Sequence, residues 1–96
     1  MLDIQNFIDG SFTHALDGQT IEDFNPATAQ CIATIPRSQS ADVELAVSAA
    51  QSAQPAWTAL TLEQRAVWLD RIADALEEKT EQIAQTESMD TGKPIA

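Results

Sequence analysis

The stretch Pro36-Arg37-Ser38-Gln39-Ser40-Ala41-Asp42-Val43-Glu44 divides the chain into two halves with different periodicity. On its amino side, short apolar runs are broken by Gly, Asn and Pro. On its carboxyl side, apolar residues recur at helical spacing. The sequence is therefore read as residues 1–37 forming β-hairpins and residues 38–96 forming helices.

Working back from Pro36, the run Cys31-Ile32-Ala33-Thr34-Ile35 is a strand that Pro36 closes, because proline cannot donate to a ladder. Its partner is Thr20-Ile21-Glu22-Asp23-Phe24. The two are joined by Asn25-Pro26-Ala27-Thr28-Ala29-Gln30, where Pro26 stops any continuing ladder. Earlier still, Phe7-Ile8-Asp9-Gly10-Ser11-Phe12 sets Asp-Gly between apolar residues. That pair tolerates positive φ at both centres of a type I′ turn, so a two-residue hairpin would place Phe7 opposite Phe12.

Working forward, Ser40 is positioned to cap a first helix, with Asp42 and Glu44 near its positive end. Val43, Ala46, Val47, Ala50 and Ala53 make a face of small side chains suited to close approach by a neighbour, and Pro55 is expected to end this helix. Thr61 with Gln64 forms a capping-box pattern for a second helix. At about 100° per residue, Leu62, Ala66, Leu69, Ile72, Ala73 and Leu76 fall on one arc, with Glu63, Asp70, Asp74 and Glu77 opposite. Arg65 lies within that arc and needs a carboxylate or a route to water. A third helix runs from near Thr80 to about Met89 and carries Ile83 and Ala84. Thr91-Gly92-Lys93-Pro94 supplies its stop.

Composition narrows the function. The 96 residues hold 5 Lys+Arg against 15 Asp+Glu, a net charge of −10. So negative a chain, with no basic stripe, disfavours nucleic acid and anionic lipid as partners. No run is long and apolar enough to span a membrane, and the amino end lacks a secretion signal. The single cysteine, Cys31, fits a reducing cytoplasm. A domain of this size buries only about 60–65% of its unfolded-chain surface, so apolar faces left over after folding would point to a missing remainder.

Few residues suggest chemistry. Cys31 sits in a strand with no base or cation beside it and reads as a small buried hydrophobe. His14 has no second ligand at metal-binding spacing and reads as a solvated loop residue. Gly92-Lys93 lacks the earlier glycine and the following Ser or Thr of a phosphate loop. Glu77, Glu78 and Glu81 form a solvated face, and Trp57 and Trp68 are packing anchors. By themselves these residues give no reaction.

The order of the segments is more informative. Asn6-Phe7-Ile8-Asp9-Gly10, Asn25-Pro26-Ala27-Thr28, the helix Asp42-Val43 through Ala46-Val47 and Ala49-Ala50, Trp57, Glu63-Gln64-Arg65 and Glu87-Ser88-Met89-Asp90-Thr91-Gly92-Lys93-Pro94 occur in sequence. Together they resemble the amino-terminal portion of the aldehyde dehydrogenase superfamily, with Ala29 where that family has glycine. Asn6 to Phe12 and the helix ending in Glu87-Ser88 are nearest to members acting on muconic semialdehydes.

The resemblance implies an α/β fold in which two β-hairpins and three α-helices pack on a Rossmann-like coenzyme domain, as the opening segment of an incomplete domain. It implies NAD- or NADP-dependent oxidation of an aldehyde or semialdehyde to its acid, through a cysteine thiohemiacetal, hydride transfer and thioester hydrolysis. The family's nucleophile, general base and dinucleotide-binding residues lie beyond Ala96. Catalytic and cofactor-binding residues are therefore expected to be absent here, and the chain alone is expected to be inactive. Expected partners are the remainder of the subunit and, in the complete enzyme, further copies of it. A free-standing acidic interaction module and a functionless truncated remnant are the alternatives.

One site carries over. Asp90 stands at a helix carboxyl end, where a carboxylate costs ~0.3–1 kcal/mol unless a cation compensates. Lys93 is one such cation. In the family the matching aspartate binds a monovalent cation with main-chain carbonyls before the Asn-Pro turn. The resemblance thus implies a sodium or potassium site in the complete enzyme, formed by Asp90 and the main-chain carbonyls of Asp23 and Phe24. Remaining ligands would come from beyond Ala96 or from water, so the isolated chain is expected to bind weakly. The site would brace the second hairpin against the third helix.

Overall fold

The computed structural model describes residues 1–95. Strands β1 (Leu2–Asp3), β2 (Asn6–Ile8), β3 (Ser11–Thr13), β4 (Thr20–Phe24) and β5 (Cys31–Pro36) precede helices α1 (Ser40–Thr58), α2 (Leu62–Glu78) and α3 (Thr80–Thr91). The change of period after Pro36 is the change from sheet to helix.

β2 and β3 pair antiparallel with Phe7 opposite Phe12. Asp9 and Gly10 take φ of 52° and 78°, the two positive values that a type I′ turn requires. The Phe7 and Phe12 rings meet edge to face, 5.0 Å apart. β4 and β5 form the second hairpin, with a register shift between Asp23 and Phe24. The sequence reading has no counterpart for β1, which lies parallel to β5 with Leu2 beside Ala33, giving a sheet of order β1-β5-β4. A parallel pair needs a long crossover, so no local motif announces it.

Two helix boundaries differ from expectation. Gln39, rather than Ser40, is the N-cap of α1. The Asp42 carboxylate accepts the Gln39 N–H at 2.9 Å and reaches back to the Leu16 N–H at 2.8 Å. Pro55 does not end α1, which continues to Thr58. Proline forfeits its own N–H but keeps its carbonyl, and here the Pro55 carbonyl accepts the Ala59 N–H at 3.0 Å, closing the last turn. The capping box of α2 is present in both directions, Gln64 N–H to Thr61 Oγ1 at 3.2 Å and Thr61 N–H to Gln64 Oε1 at 2.9 Å. α3 runs two residues past Met89 and stops at Gly92, whose φ is 77°.

The elements form a slab of 48 × 37 × 16 Å with a radius of gyration of 16.9 Å. A compact domain of about 100 residues has a radius near 13 Å. The accessible surface is 7585 Å², against roughly 5,400 Å² for a compact monomer of this mass. Among the described residues, only Ala15 and Ala33 are buried apolar side chains. Leu62, Leu69, Ile72 and Leu76 of the α2 arc are each more than half exposed. Arg65, on the same face, is half-buried, and its Nε has no hydrogen-bond partner. Folding alone leaves the α2 stripe uncovered.

Candidate functional site

The sheet and α3 enclose a cleft of about 570 Å³. Ile4, Ile32, Ala33 and Ile35 give it an apolar wall, while Asp23 of β4 and Asp90 of α3 both line it. Asp23 is brought there at a bulge. Ala33 faces Asp23 and Cys31 faces Phe24, so Ile32 is the extra residue of β5. Such a bulge bends a strand and re-aims its side chains. The following loop is locked by its own hydrogen bonds. The Asn25 N–H donates to the Gln30 carbonyl, the Ala29 N–H to the Asn25 carbonyl, and Asn25 Oδ1 accepts the Ala27 N–H. Ala29 closes that loop with φ of 61°.

The carboxyl of Asp23 is held above its ordinary value of 3.8. The hydrogen bond with the Asp90 side chain is the largest cause, followed by loss of water and by repulsion from the Asp90 charge, while the Phe24 backbone N–H acts in the opposite direction. No cation figures among these influences on Asp23. The Lys93 backbone is engaged locally, its N–H donating to Thr91 Oγ1 at 3.3 Å and its carbonyl accepting the Ser88 hydroxyl.

Two of the three residues implied for the cation site thus line one cleft. Phe24 follows at the bulge with its ring half exposed, and it would contribute only its carbonyl. Among the described residues, no three His, Cys, Asp or Glu side chains converge on a metal position. A cation here would rely on the Asp90 carboxylate and on the main-chain carbonyls of Asp23 and Phe24. These are hard donors, suited to sodium or potassium rather than to zinc or copper.

The other singled-out residues stay apart from this pair or play no chemical part. Cys31 is half-buried rather than buried. Its Sγ touches Met1 Sδ at 3.4 Å and the Ala33 carbonyl at 3.5 Å, with no base beside it. His14 is exposed and meets Gln5 at 3.3 Å. Trp68 carries the Arg71 guanidinium 4.8 Å above its ring and, like Trp57, remains partly exposed. Sequence reasoning missed the contact between Gly92 and Pro26, because it joins segments far apart in the chain. A Cβ added at Gly92 would lie 3.0 Å from Pro26 Cγ.

The pattern of the aldehyde dehydrogenase family matches residues 12–96. The chain belongs to the aldehyde dehydrogenase family. A putative aldehyde dehydrogenase from Burkholderia cenocepacia is 48% identical and superposes with a TM-score of 0.91, over 95% of this chain and 19% of its own. PnpE in complex with nicotinamide adenine dinucleotide is 44% identical at the same TM-score and coverage. A further PnpE structure, from Pseudomonas sp. WBC-3, is 42% identical with a TM-score of 0.86, over 91% of this chain and 18% of its own. The NAD+ complex of aldehyde dehydrogenase from Bacillus cereus is 39% identical with a TM-score of 0.88, over 92% of this chain and 18% of its own. This aldehyde dehydrogenase chain therefore spans about a fifth of the length of the solved structures it matches.

Proposed function

We propose that this chain serves as the amino-terminal segment of an NAD- or NADP-dependent dehydrogenase that oxidises an aldehyde or semialdehyde to its acid. One observation carries the reading. Nearly the whole chain superposes on PnpE and on the Bacillus cereus aldehyde dehydrogenase, both solved with NAD, while covering about a fifth of each. This favours a dehydrogenase segment over a free-standing acidic interaction module or a functionless remnant. The resemblance of Asn6 to Phe12 and of the Glu87-Ser88 helix end supports muconic semialdehydes as the substrate class.

In this reading the segment supplies no reacting group. Its half-buried Cys31 is a strand residue, and the coenzyme, nucleophile and base belong to the remainder of the subunit. That remainder is also the partner that covers the exposed α2 stripe, and complete subunits associate with further copies. The single cysteine and the charge of −10 support a cytoplasmic setting without nucleic-acid partners. No described helix is long and apolar enough to cross a membrane.

The segment's own task is mechanical. In the complete enzyme Asp90 and the main-chain carbonyls of Asp23 and Phe24 hold a sodium or potassium ion that braces the second hairpin against α3. The bound ion would supply the positive charge that two adjoining carboxylates lack.

Complementation tests the proposal. The purified chain alone is expected to give no aldehyde-dependent NADH. Co-expressed with the Burkholderia cenocepacia relative shorn of its matching segment, it is expected to restore activity. A chain that neither binds the shorn relative nor restores its activity would favour the module reading.

A further inference from the structure

We propose that Arg65 anchors this segment in the complete subunit by pairing with a carboxylate of the remainder, set within the apolar surface that covers α2; the inference rests on the segment reading above. At about 100° per residue, Arg65 falls between Ile72 and Leu76 and beside Leu69, all residues of the exposed stripe. No carboxylate of α2 lies one turn from it. The positions three and four residues away are Thr61, Leu62, Trp68 and Leu69, while Glu63, Asp70, Asp74 and Glu77 occupy the opposite side. Arg65 is half-buried, and its Nε is buried without a hydrogen-bond partner among the described residues. An arginine that merely reached for water along the helix edge would keep that nitrogen wet.

The other two arginines have local partners. Arg71 lies over the Trp68 ring at 4.8 Å and has Asp74 three residues ahead. Arg37 Nη1 donates to Gln19 Oε1 at 3.4 Å. Arg65 instead sits on the face that awaits cover. The surface in excess of a compact monomer, roughly 2,200 Å², is more than twice the ~800 Å² that one partner contributes to an ordinary reversible interface. With the chain spanning about a fifth of its relatives, the rest of the subunit is an occupant of that size. Covering Leu62, Leu69, Ile72 and Leu76 takes the guanidinium out of water as well, and a cation so buried must be paired. A carboxylate satisfies two donors of the planar fork at once. Because the acids of α2 sit opposite, such a group approaches Arg65 with none of them beside it.

The test joins this chain to the Burkholderia cenocepacia relative in place of its matching segment, giving a full-length enzyme. It reads aldehyde-dependent NADH formation and the half-life of that activity on heating, since the stability of a large enzyme is read as a rate. The unmodified chimaera is expected to be active. Arg65→Met, which keeps an apolar stem, should shorten the half-life roughly thirtyfold, the smaller loss expected on orphaning one member of a buried charge pair. Arg65→Lys, which keeps the charge without the fork, should fall between, and it carries the comparison if the Met variant does not accumulate. Arg71→Met should have a much smaller effect, because its ring contact is partly exposed. One Asp→Asn or Glu→Gln change in the remainder should shorten the half-life as Arg65→Met does, yet add little when the two are combined. An Arg65→Met half-life that is unchanged or longer, or a remainder in which no carboxylate couples to Arg65, overturns the anchor while the active chimaera keeps the segment reading. A half-life that depends on protein concentration, with no coupled carboxylate, makes a second copy the occupant and overturns the anchor likewise. An inactive unmodified chimaera ends the segment reading, and the anchor with it.

Discussion

The Asp42 carboxylate at the start of α1 accepts the N–H of Leu16 at 2.8 Å, across 26 residues of sequence, while its other oxygen caps Gln39. Asp42 is 5% exposed and is the buried charged-type residue of the described chain. It fastens the loop after the first hairpin to the first helix. Hydrogen bonds to a carboxylate contribute about 1.5–3 kcal/mol, and burying the orphaned donors adds to the loss. Asp42→Ala is expected to lower stability by about 2–3 kcal/mol. Asp42→Asn should cost nearly as much, because its amide nitrogen would face a backbone donor. Chemical denaturation of the three proteins gives the comparison, and a near-neutral Asn variant would refute the two-acceptor role.

Asp23 and Asp90 predict a pH effect in cation-free buffer. The folded-state value of Asp23 lies above its unfolded one, so the fold favours the protonated form. The stabilisation is complete below the ordinary value of 3.8 and is lost as pH rises through the raised folded value. Asp90→Asn removes the neighbouring charge and should bring Asp23 down towards 3.8. Carboxyl carbon-13 shifts against pH follow this directly, and an unchanged Asp23 titration would show that Asp90 is not its perturber.

Ala29 holds a left-handed backbone in the loop between β4 and β5, at φ of 61°. For a residue with a Cβ that conformation costs about 1–2 kcal/mol. Part of the gain from glycine is offset by its freer unfolded chain. Ala29→Gly is expected to stabilise the hairpin by roughly 1 kcal/mol, measured as a rise in thermal midpoint. A fall would mean that the loop depends on the Ala29 methyl.

The uncovered stripe of α2 predicts self-association when the chain is alone. Exposed apolar patches of this kind mark interaction surfaces. Leu69→Gln with Ile72→Gln should reduce association in sedimentation velocity without loss of helix by circular dichroism. A strictly monomeric unmodified chain, melting cooperatively with protected amides from Leu62 to Leu76, would show that the stripe needs no cover.

Cys31 should be dispensable for chemistry. In the complemented enzyme Cys31→Ala is expected to leave kcat unchanged, since its thiol's hydrogen-bond partners among the described residues are Met1 Sδ and the Ala33 carbonyl. A large loss of kcat would return Cys31 to the reaction.

What the sequence disclosed follows the reach of each signal. The Asp9-Gly10 turn, the Thr61–Gln64 capping box and the Gly92 stop are each written in a few adjacent residues, and the structure has all three. Pro55 misled because a proline costs the helix its own N–H bond without ending it, since its carbonyl still accepts the Ala59 N–H. β1 escaped notice because its two residues pair with residues some thirty positions away. At the candidate site, family resemblance pointed to Asp23 and Asp90, since no periodicity relates a strand residue to one in the last helix. The Gly92–Pro26 contact was illegible for the same reason. Glycine at a helix stop is fully explained by φ until the facing proline is seen.

The parallel pairing of Leu2–Asp3 with Ala33–Thr34 also imposes an order on synthesis. Leu2 and Asp3 leave the ribosome before the strand they join, which is made about thirty residues later, a delay of about 2–6 s at 5–20 residues per second. Through that interval the neighbouring β2–β3 hairpin can already close, because its partners are separated by a two-residue turn. β1 is therefore among the last strands of this sheet to be secured, although it precedes β4 and β5 in the chain.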